Sequence, residues 1–348
     1  DTIGITKDGK SQKATYYHHI RTLFSLYHLS DSETEIMRSL ALLPVTGISG
    51  RLFAHWLKLR DMNTINDLIE KGFAQAMEGH VIALHPMVQE VAVEEIKPSV
   101  TSCRTLLDSL QQICLRHGEE VYYYKQLFQT IETIINLIDN DDMPFYLRFV
   151  EDVFPYMEKF HYVQGMELVL KHLAELLKND EVGSISDRAL LMDYRACCEK
   201  KPDKAIKLAK DAVAMLTEIT SDNALLAANL HANLGGMYRQ SGKYELAKQY
   251  MEQGIQLLEQ FGLVPYHDSI PQIANYAVLL TEMGQPDMGL SALRKLSRVI
   301  REYNSDQTID YASVREAMGN ICLTIGEIQQ ATTHFQKAMA VYEVVFEL

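Results

Sequence analysis

The chain lacks the features that define several common classes of protein. No apolar run approaches the ~18–20 residues that a membrane-spanning helix needs. The N-terminus shows no signal-peptide pattern, and because it begins with Asp1 rather than Met we expect a processed chain or a piece of a longer one. The cysteines are odd in number and show no Cys-x-x-Cys spacing, which argues against a disulfide framework or a zinc site. We therefore expect a cytoplasmic protein with reduced thiols and no metal.

Positive charge and catalytic motifs are also scarce. Lys and Arg number 33 against 46 Asp and Glu, for a net charge of −13. Such a chain repels phosphate backbones and anionic headgroups, so nucleic-acid and membrane partners are disfavoured. The sequence contains no phosphate-binding GxxxxGK[ST] loop, no HExxH and no GxSxG. We expect neither enzyme activity nor a cofactor bound by this chain alone. The 348 residues are enough for two or three domains.

A repeat runs through the second half of the chain. Gly242, Gly284 and Gly326 are 42 residues apart, and Lys200 takes the same place one unit earlier. Five residues beyond each of these positions lies a small residue: Ala205, Ala247, Gly289 and Ala331. Apolar residues at helical spacing predict two helices in each unit, separated at the glycine. Neither helix can bury its apolar stripe alone, so the units are predicted to stack into a solenoid.

One unit carries a specific motif, "HANLGGMYRQSGKYELAKQYMEQG". It has the Leu-Gly-x-x-Tyr of Leu234, Gly235 and Tyr238, although His231 replaces the usual Trp. The unit resembles the tetratricopeptide repeat (TPR), with a period longer than the usual 34 residues. We expect TPR-like repeats over 187–348 and degenerate helical repeats over 101–180.

The first hundred residues follow a different pattern. Ser30 and Glu33 form a capping box, and Asn63 is predicted to cap a later helix. The segment "FAQAMEGHVIAL" alternates like a β-hairpin, and Pro86 is predicted to open the next helix. Helices followed by a two-stranded wing predict a small winged-helix domain over 20–100, after an N-terminal segment, 1–19. The whole chain is thus predicted to be mostly α-helical, with this domain followed by the α-solenoid.

A winged helix suggests DNA binding, but its charge here argues otherwise. Residues 20–100 hold 7 basic and 10 acidic residues, and the predicted wing, 73–84, has no Lys or Arg. DNA binding needs a basic recognition face. A transcription regulator with a DNA-binding winged helix and a peptide-sensing TPR domain is therefore kept as the alternative function.

The segments "LSDSETEIMRSLALLPVTGISGRLFAHWL", "INDLIEKGFAQ" and "VIALHPMVQEVA" carry a second resemblance. They resemble the winged-helix domain of the STAND class of signalling NTPases, of the NB-ARC type. In that family the domain follows the nucleotide-binding domains and precedes a repeat sensor. The resemblance implies a non-catalytic regulatory region coupled to an NTPase domain in cis, with ADP or ATP bound outside this chain.

The same resemblance gives His85 a role. In the family a Met-His-Asp motif ends the hairpin, and its histidine contacts the β-phosphate of ADP. Leu84, His85 and Pro86 occupy these places, so the histidine matches and the carboxylate is absent. The resemblance implies that His85 contacts nucleotide in the full-length protein. The alternative is a partly buried histidine at a strand end, bonded to a backbone carbonyl.

A ligand groove is predicted on the first helices of the repeats, because solenoids bind partners on the face that these helices line. An Asn amide can hold a peptide backbone, and Arg239 can pair with a carboxylate. The alternative is that the Asn side chains bond only to neighbouring helices. The predicted groove residues, which would contact a protein or peptide ligand, are Asn229, Asn233, Arg239, Asn275, Glu282, Glu316 and Asn320.

Overall fold

The structure is a computed structural model, and it describes residues 20–22, 28–116, 124–303 and 306–345, most of them helical. The chain divides into two compact units, residues 1–182 (unit 1) and residues 183–348 (unit 2). The predicted N-terminal segment, 1–19, lies outside the described residues. Within the described part, no helix has both the length and the apolar character needed to cross a membrane.

Unit 1 begins with short helices and a small sheet and continues with longer helices. Its elements are α1 (Asp31–Leu40), β1 (Ile48–Ser49), α2 (Gly50–Trp56), α3 (Asn63–Glu70), β2 (Ala74–Met77), β3 (Val81–Leu84), α4 (Pro86–Ile96), α5 (Arg104–Arg116), α6 (Tyr124–Leu137), α7 (Met143–Lys159) and α8 (Val163–Leu176).

Two predicted helix starts have different outcomes. The capping box of α1 is confirmed, since Ser30 Oγ accepts the N–H of Glu33 and the Glu33 carboxylate accepts the N–H of Ser30. The predicted cap at Asn63 is wrong, because Asn63 is already the first residue of α3 and Met62 stands at the cap position. The Asp61 carboxylate accepts the N–H of Asn63 at 2.9 Å. An acidic side chain two residues earlier therefore accepts the N–H of Asn63 itself, at the start of α3.

The predicted hairpin is present, and a third strand joins it. β2 pairs antiparallel with β3, with Ala74 opposite Leu84, and β1 pairs with the other edge of β3, with Ile48 opposite Ile82. The strand order is thus β1-β3-β2. Gly47 lies just before β1 with φ of +72°, and a Cβ there would lie 2.5 Å from the carbonyl oxygen of Ile82. Only glycine allows the chain to approach β3 this closely.

Buried polar side chains fix the helices of this small domain to one another. The Gln89 amide, on α4, donates to the carbonyls of Ala41 and Leu43 at 2.8 Å each, where the chain leaves α1. Arg38 of α1 donates in turn to the carbonyl of Ile96 at the end of α4. Each bond satisfies a backbone carbonyl that helix ends otherwise leave without a partner.

The rest of unit 1 consists of helices that pack in pairs. α7 packs against α8 and α5, and α6 packs against α8. Gly165 of α8 permits a close approach, because a Cβ there would lie 2.6 Å from the Tyr162 ring and 2.8 Å from Met157 Sδ. A small residue is thus needed at this helix pair, as in the repeats of the second half of the chain.

Unit 2 is a TPR-like α-solenoid of four helical hairpins. The second helices begin at Pro202, Tyr244, Pro286 and Ile328, each 42 residues after the last. Each second helix except the last also packs against the first helix of the next hairpin. The hairpins are α9 (Ile185–Cys198) with α10 (Pro202–Met215), α11 (Ala224–Gln240) with α12 (Tyr244–Gln260), α13 (Ile270–Glu282) with α14 (Pro286–Tyr303), and α15 (Ile309–Thr324) with α16 (Ile328–Val345).

Glycine makes the turn in the last three hairpins. Gly242, Gly284 and Gly326 have φ between +71° and +83°, a conformation that side chains with a Cβ rarely adopt. Lys200, which takes their place in the first hairpin, does not follow this turn. There the chain leaves α9 through Glu199 in an extended conformation, and Pro202 starts α10.

Small residues bring the two helices of a hairpin together, as the repeat pattern predicts. Ala247 is fully buried and Ala331 is 2% exposed. A Cβ on Gly289 of α14 would lie 2.6 Å from the carbonyl oxygen of Ala277 on α13. At such distances the partner backbone leaves no room for a methyl group.

Candidate functional site

The first helices of the hairpins form a continuous row in unit 2. α9 contacts α11, α11 contacts α13, and α13 contacts α15, whereas successive second helices make fewer contacts with one another. A stack whose first helices are closer together than its second helices curves toward the first helices. The exposed side chains of α11, α13 and α15 therefore lie on the inner side of the curve, where the predicted groove was placed.

Two of the predicted groove residues bond to neighbouring helices of the stack. Asn233 Nδ2 donates to the Asp193 carboxylate of α9 at 2.8 Å. Asn229 of α11 accepts a hydrogen bond from the amide of Gln272 on α13. These side chains thus fasten one repeat to the next, which agrees with the alternative that we held open for the Asn residues.

Arg239 also has a partner within the chain. Its guanidinium makes two hydrogen bonds to the Glu282 carboxylate on α13, Nε at 2.7 Å and Nη2 at 2.6 Å. The hydrogen bonds raise the pKa of Arg239 and lower the pKa of Glu282. A ligand carboxylate would have to displace Glu282 before it could pair with Arg239.

The remaining predicted residues differ in what they contact. Glu316 accepts a hydrogen bond from the Tyr342 hydroxyl of α16 at 3.2 Å. Asn275 of α13 and Asn320 of α15 are exposed, and neither side chain has a hydrogen-bond partner in the part of the chain that the structure describes. Two amides on adjacent repeats are thus available to a ligand.

Gly236 leaves unfilled space on this side of α11, because it has no side chain. It lies on α11 three residues after Asn233, and a Cβ placed there would meet nothing within 4 Å. A Cβ on its neighbour Gly235, by contrast, would lie 2.6 Å from Met251 Cγ on α12. We define the first-helix face by Asn233, Gly236, Asn275 and Asn320.

Asp193 and Gln272 were missed in the sequence. Each belongs to a pair whose members are about one period apart, Asp193 40 residues before Asn233 and Gln272 43 residues after Asn229. Arg239 and Glu282, both predicted but not as a pair, are also 43 residues apart. A search for complementary polar residues separated by nearly one period would have found all three pairs.

His85 lies at the N-terminus of α4 in unit 1. Its side chain is exposed, and Nδ1 accepts the backbone N–H of Met87 at 3.3 Å, which makes it the N-cap. The alternative of a partly buried histidine bonded to a carbonyl is therefore wrong, because the ring accepts rather than donates. Since Nδ1 accepts, the proton is on Nε2, which lies on the far side of the ring.

The described residues contain no group of three His, Cys, Asp or Glu side chains placed to hold a metal ion.

The repeats of unit 2 match a known family. A tetratricopeptide repeat family matches residues 196–260 and 269–343. The chain contains tetratricopeptide repeats. A search of curated proteins finds no match.

Among solved structures, a STAND protein with a TPR sensor from Pyrococcus horikoshii has 15% identity and a TM-score of 0.54. The alignment covers 98% of this chain and 47% of that one. At this identity the likeness concerns the fold alone.

Two further solved structures align with part of this chain. The TPR-like repeats of a kinesin light chain from Podosopora anserina have 14% identity and a TM-score of 0.46, covering 60% of this chain and 99% of theirs. A Rap protein complexed with competence and sporulation factor has 17% identity and a TM-score of 0.42, covering 68% of this chain and 65% of its own.

Proposed function

We propose that this chain is a non-catalytic sensor region that binds an extended protein or peptide segment along the first-helix face of its TPR repeats. TPR repeats serve protein recognition, and solenoids present a continuous inner surface for it. The observation that carries the proposal is the pair of exposed amides, Asn275 and Asn320, on adjacent repeats without side-chain partners among the described residues.

An amide offers a donor and an acceptor, so it can bond a peptide backbone whatever the ligand's side chains are. Two amides on successive repeats would hold an extended chain at two points. Gly236 leaves space for the ligand beside the next repeat, since no described atom lies within 4 Å of where its Cβ would be. Arg239 and Glu282 would line the groove without bonding the ligand, because their side chains already form two hydrogen bonds with each other.

The test is a peptide selection with the full chain. A phage-displayed library of random 12-residue peptides is selected on the wild-type protein, and the affinities of the enriched peptides are measured by calorimetry. Asn275→Ala/Asn320→Ala should weaken binding about tenfold, because each lost hydrogen bond is worth roughly 0.5–1.5 kcal/mol. Both residues are exposed, so the variant should stay folded.

The matched control is Gln249→Ala/Gln256→Ala, which removes two exposed amides from the second helix α12. This control should bind the selected peptides as the wild type does. Peptides that bind the Asn275/Asn320 variant at wild-type affinity would place the ligand elsewhere.

We also propose that residues 28–100 form a winged-helix domain that couples this sensor to an NTPase switch outside the chain. The support is the order of elements, with helices α1 to α3 around a three-stranded sheet, and the fold shared with the STAND protein over 98% of this chain. His85 would contact nucleotide phosphate through its exposed Nε2–H. No observation favours DNA binding, since the β2–β3 hairpin has no Lys or Arg.

The coupling proposal predicts that this chain alone does not bind nucleotide. Titration calorimetry with ADP and with ATP should give no heat of binding at micromolar concentrations. A micromolar affinity would mean that the chain itself forms a phosphate site, and the assignment of the nucleotide to another domain would be wrong. Sequence-dependent binding of duplex DNA in a gel-shift at low salt would favour the transcription-regulator alternative.

A further inference from the structure

The second helix α14 carries a stripe of arginines in an otherwise acidic chain. Arg294, Arg298 and Arg301 recur at i, i+4 and i+7, so they lie within roughly 60° of arc and about 10 Å of helix length. All three are exposed, and none forms an ion pair within the described residues. Their neighbour Lys295 differs, because it pairs with Glu259 at 2.6 Å. Asp287 lies on the same face, two turns before the stripe begins.

Arg315 on the adjacent helix α15 is a half-buried cation without an anion. Its Nη2 donates to the Tyr311 hydroxyl at 2.6 Å, and its Nη1 lies 3.3 Å from Nδ1 of His334 on α16. Its Nε is buried and has no acceptor within the described residues. Both partners are neutral acceptors, so no carboxylate pairs with this charge within the described residues, and even partial burial of an unpaired charge is costly.

The surroundings of His334 indicate that these cations lie close together. Burial lowers the pKa of His334, and the charges of Arg315, Lys337 and Arg294 lower it further. The carboxylate on this side, Glu327, accepts a hydrogen bond from Gln330 and makes no ion pair within the described residues. Positive charge from three helices therefore gathers here, and none of these cations forms an ion pair within the described residues.

We propose that the basic patch formed by Arg294, Arg298, Arg301, Arg315 and Lys337 binds an acidic segment of a partner protein. Guanidinium groups bind carboxylates with two parallel hydrogen bonds, and three of them at helical spacing present a row of such sites. A short acidic segment can use this row without approaching the rest of the chain. Long polyanions are repelled by the net charge of −13. The patch lies on α14 and its neighbours and is separate from the first-helix face.

The test uses the full chain and a fluorescein-labelled alanine-based helical peptide that carries Glu at i, i+4 and i+7. Fluorescence anisotropy should show binding to the wild type that weakens as salt is added, as surface charge pairs require. Arg294→Gln/Arg298→Gln should weaken binding roughly tenfold, since two exposed ion pairs are lost. The matched control is Lys204→Gln/Lys207→Gln, which removes two exposed charges from α10 and should change the affinity less than twofold.

Three results would overturn the proposal. The wild type could fail to bind the peptide even at low salt. The control could lose as much affinity as the Arg variant, which would make the attraction a matter of total charge. Duplex DNA or phosphatidylserine vesicles could bind more tightly than the peptide through the same two arginines, which would assign the patch to another kind of anion. Circular dichroism of each variant verifies that the fold is retained.

Discussion

The small residues between paired helices permit a sharp test, because unit 2 contains two helical glycines with opposite surroundings. A Cβ on Gly289 would lie 2.6 Å from the carbonyl oxygen of Ala277 and 3.3 Å from Thr281 Oγ1. A Cβ on Gly236 would meet nothing within 4 Å. The same substitution by Ala should therefore have opposite effects on the free energy of unfolding at these two positions.

The magnitudes come from two opposing effects. Replacing Gly by Ala within a helix stabilises it by about 1 kcal/mol, and this is all that Gly236→Ala changes. At Gly289 the new methyl carbon falls about 0.7–1.0 Å inside the usual carbon–oxygen contact of roughly 3.3–3.6 Å. The contact atom is backbone, so α13 and α14 must separate, which costs about 1–3 kcal/mol. We expect Gly289→Ala to destabilise the protein by up to about 2 kcal/mol after the helix preference is subtracted, which leaves it about 1–3 kcal/mol less stable than Gly236→Ala.

Urea unfolding followed by circular dichroism at 222 nm measures both effects as shifts of the midpoint in opposite directions. The fluorescence of Trp56, the only tryptophan in the sequence and fully buried in unit 1, reports separately on that unit. Its transition should be the same in both variants, since neither substitution touches unit 1.

A Gly289→Ala protein as stable as Gly236→Ala would refute this account. It would mean that α13 and α14 are not in close backbone contact at Gly289. The recurrence of small residues at this position of the repeat would then need another explanation. A loss of stability at Gly236 would equally mean that its surroundings are occupied.

Three further substitutions test other parts of the structure. His85→Ala should cost about 0.5–2 kcal/mol through loss of the N-cap, whereas His85→Asn should retain the cap, as thermal unfolding of both variants will show. In a longer protein that binds ADP, both variants should release ADP faster if His85 contacts the phosphate, and equal release rates would leave only the capping role. The hydrogen bond from Lys71 lowers the pKa of Glu33 from 4.5 to about 2. The stabilisation of the fold by ionised Glu33 is therefore complete above pH 4.5 and is lost as the pH falls toward 2. Glu33→Gln should thus lower stability at pH 7 by about 1.5–3 kcal/mol and make unfolding less dependent on pH between 4.5 and 2, and an unchanged acid titration would contradict the pairing. Ala247→Leu should cost roughly 1–3 kcal/mol by overpacking, and an unchanged urea midpoint would mean that Ala247 faces solvent.

Local features of the fold could be predicted from the sequence. The turn glycines, the capping box at Ser30 and the hairpin after Phe73 depend on a few neighbouring residues whose preferences are strong. Strand β1 could not be predicted, because two residues show no alternation and Ile48 becomes a strand only by pairing with Ile82. The cap at Asn63 was misplaced by one residue, because Asn63 is already helical and its own N–H is accepted by Asp61.

The position of the candidate site on the first helices could be predicted from the sequence, but the hydrogen-bond partners of its side chains could not. The 42-residue register placed Asn233 and Asn275 on the same side of their helices, which follows from periodicity. It did not show that Asn233 bonds Asp193 while Asn275 remains without a partner. That difference depends on which side chain faces each Asn across the helix interface, and the residue type at Asn233 does not reveal its neighbour.

The polar pairs between repeats also bear on how the stack assembles correctly. Similar hairpins could in principle stack in the wrong order, because their apolar surfaces are alike. If α11 were to dock on α15 instead of α13, one period further on, Arg239 would face Thr324 in place of Glu282, and Asn229 would face Val314 in place of Gln272. The misassembled stack would leave a guanidinium and an amide without these partners, and each lost hydrogen bond is worth about 0.5–1.5 kcal/mol. The α9–α11 and α11–α13 interfaces thus specify the correct neighbouring repeat through polar pairs, which the shared apolar packing does not supply.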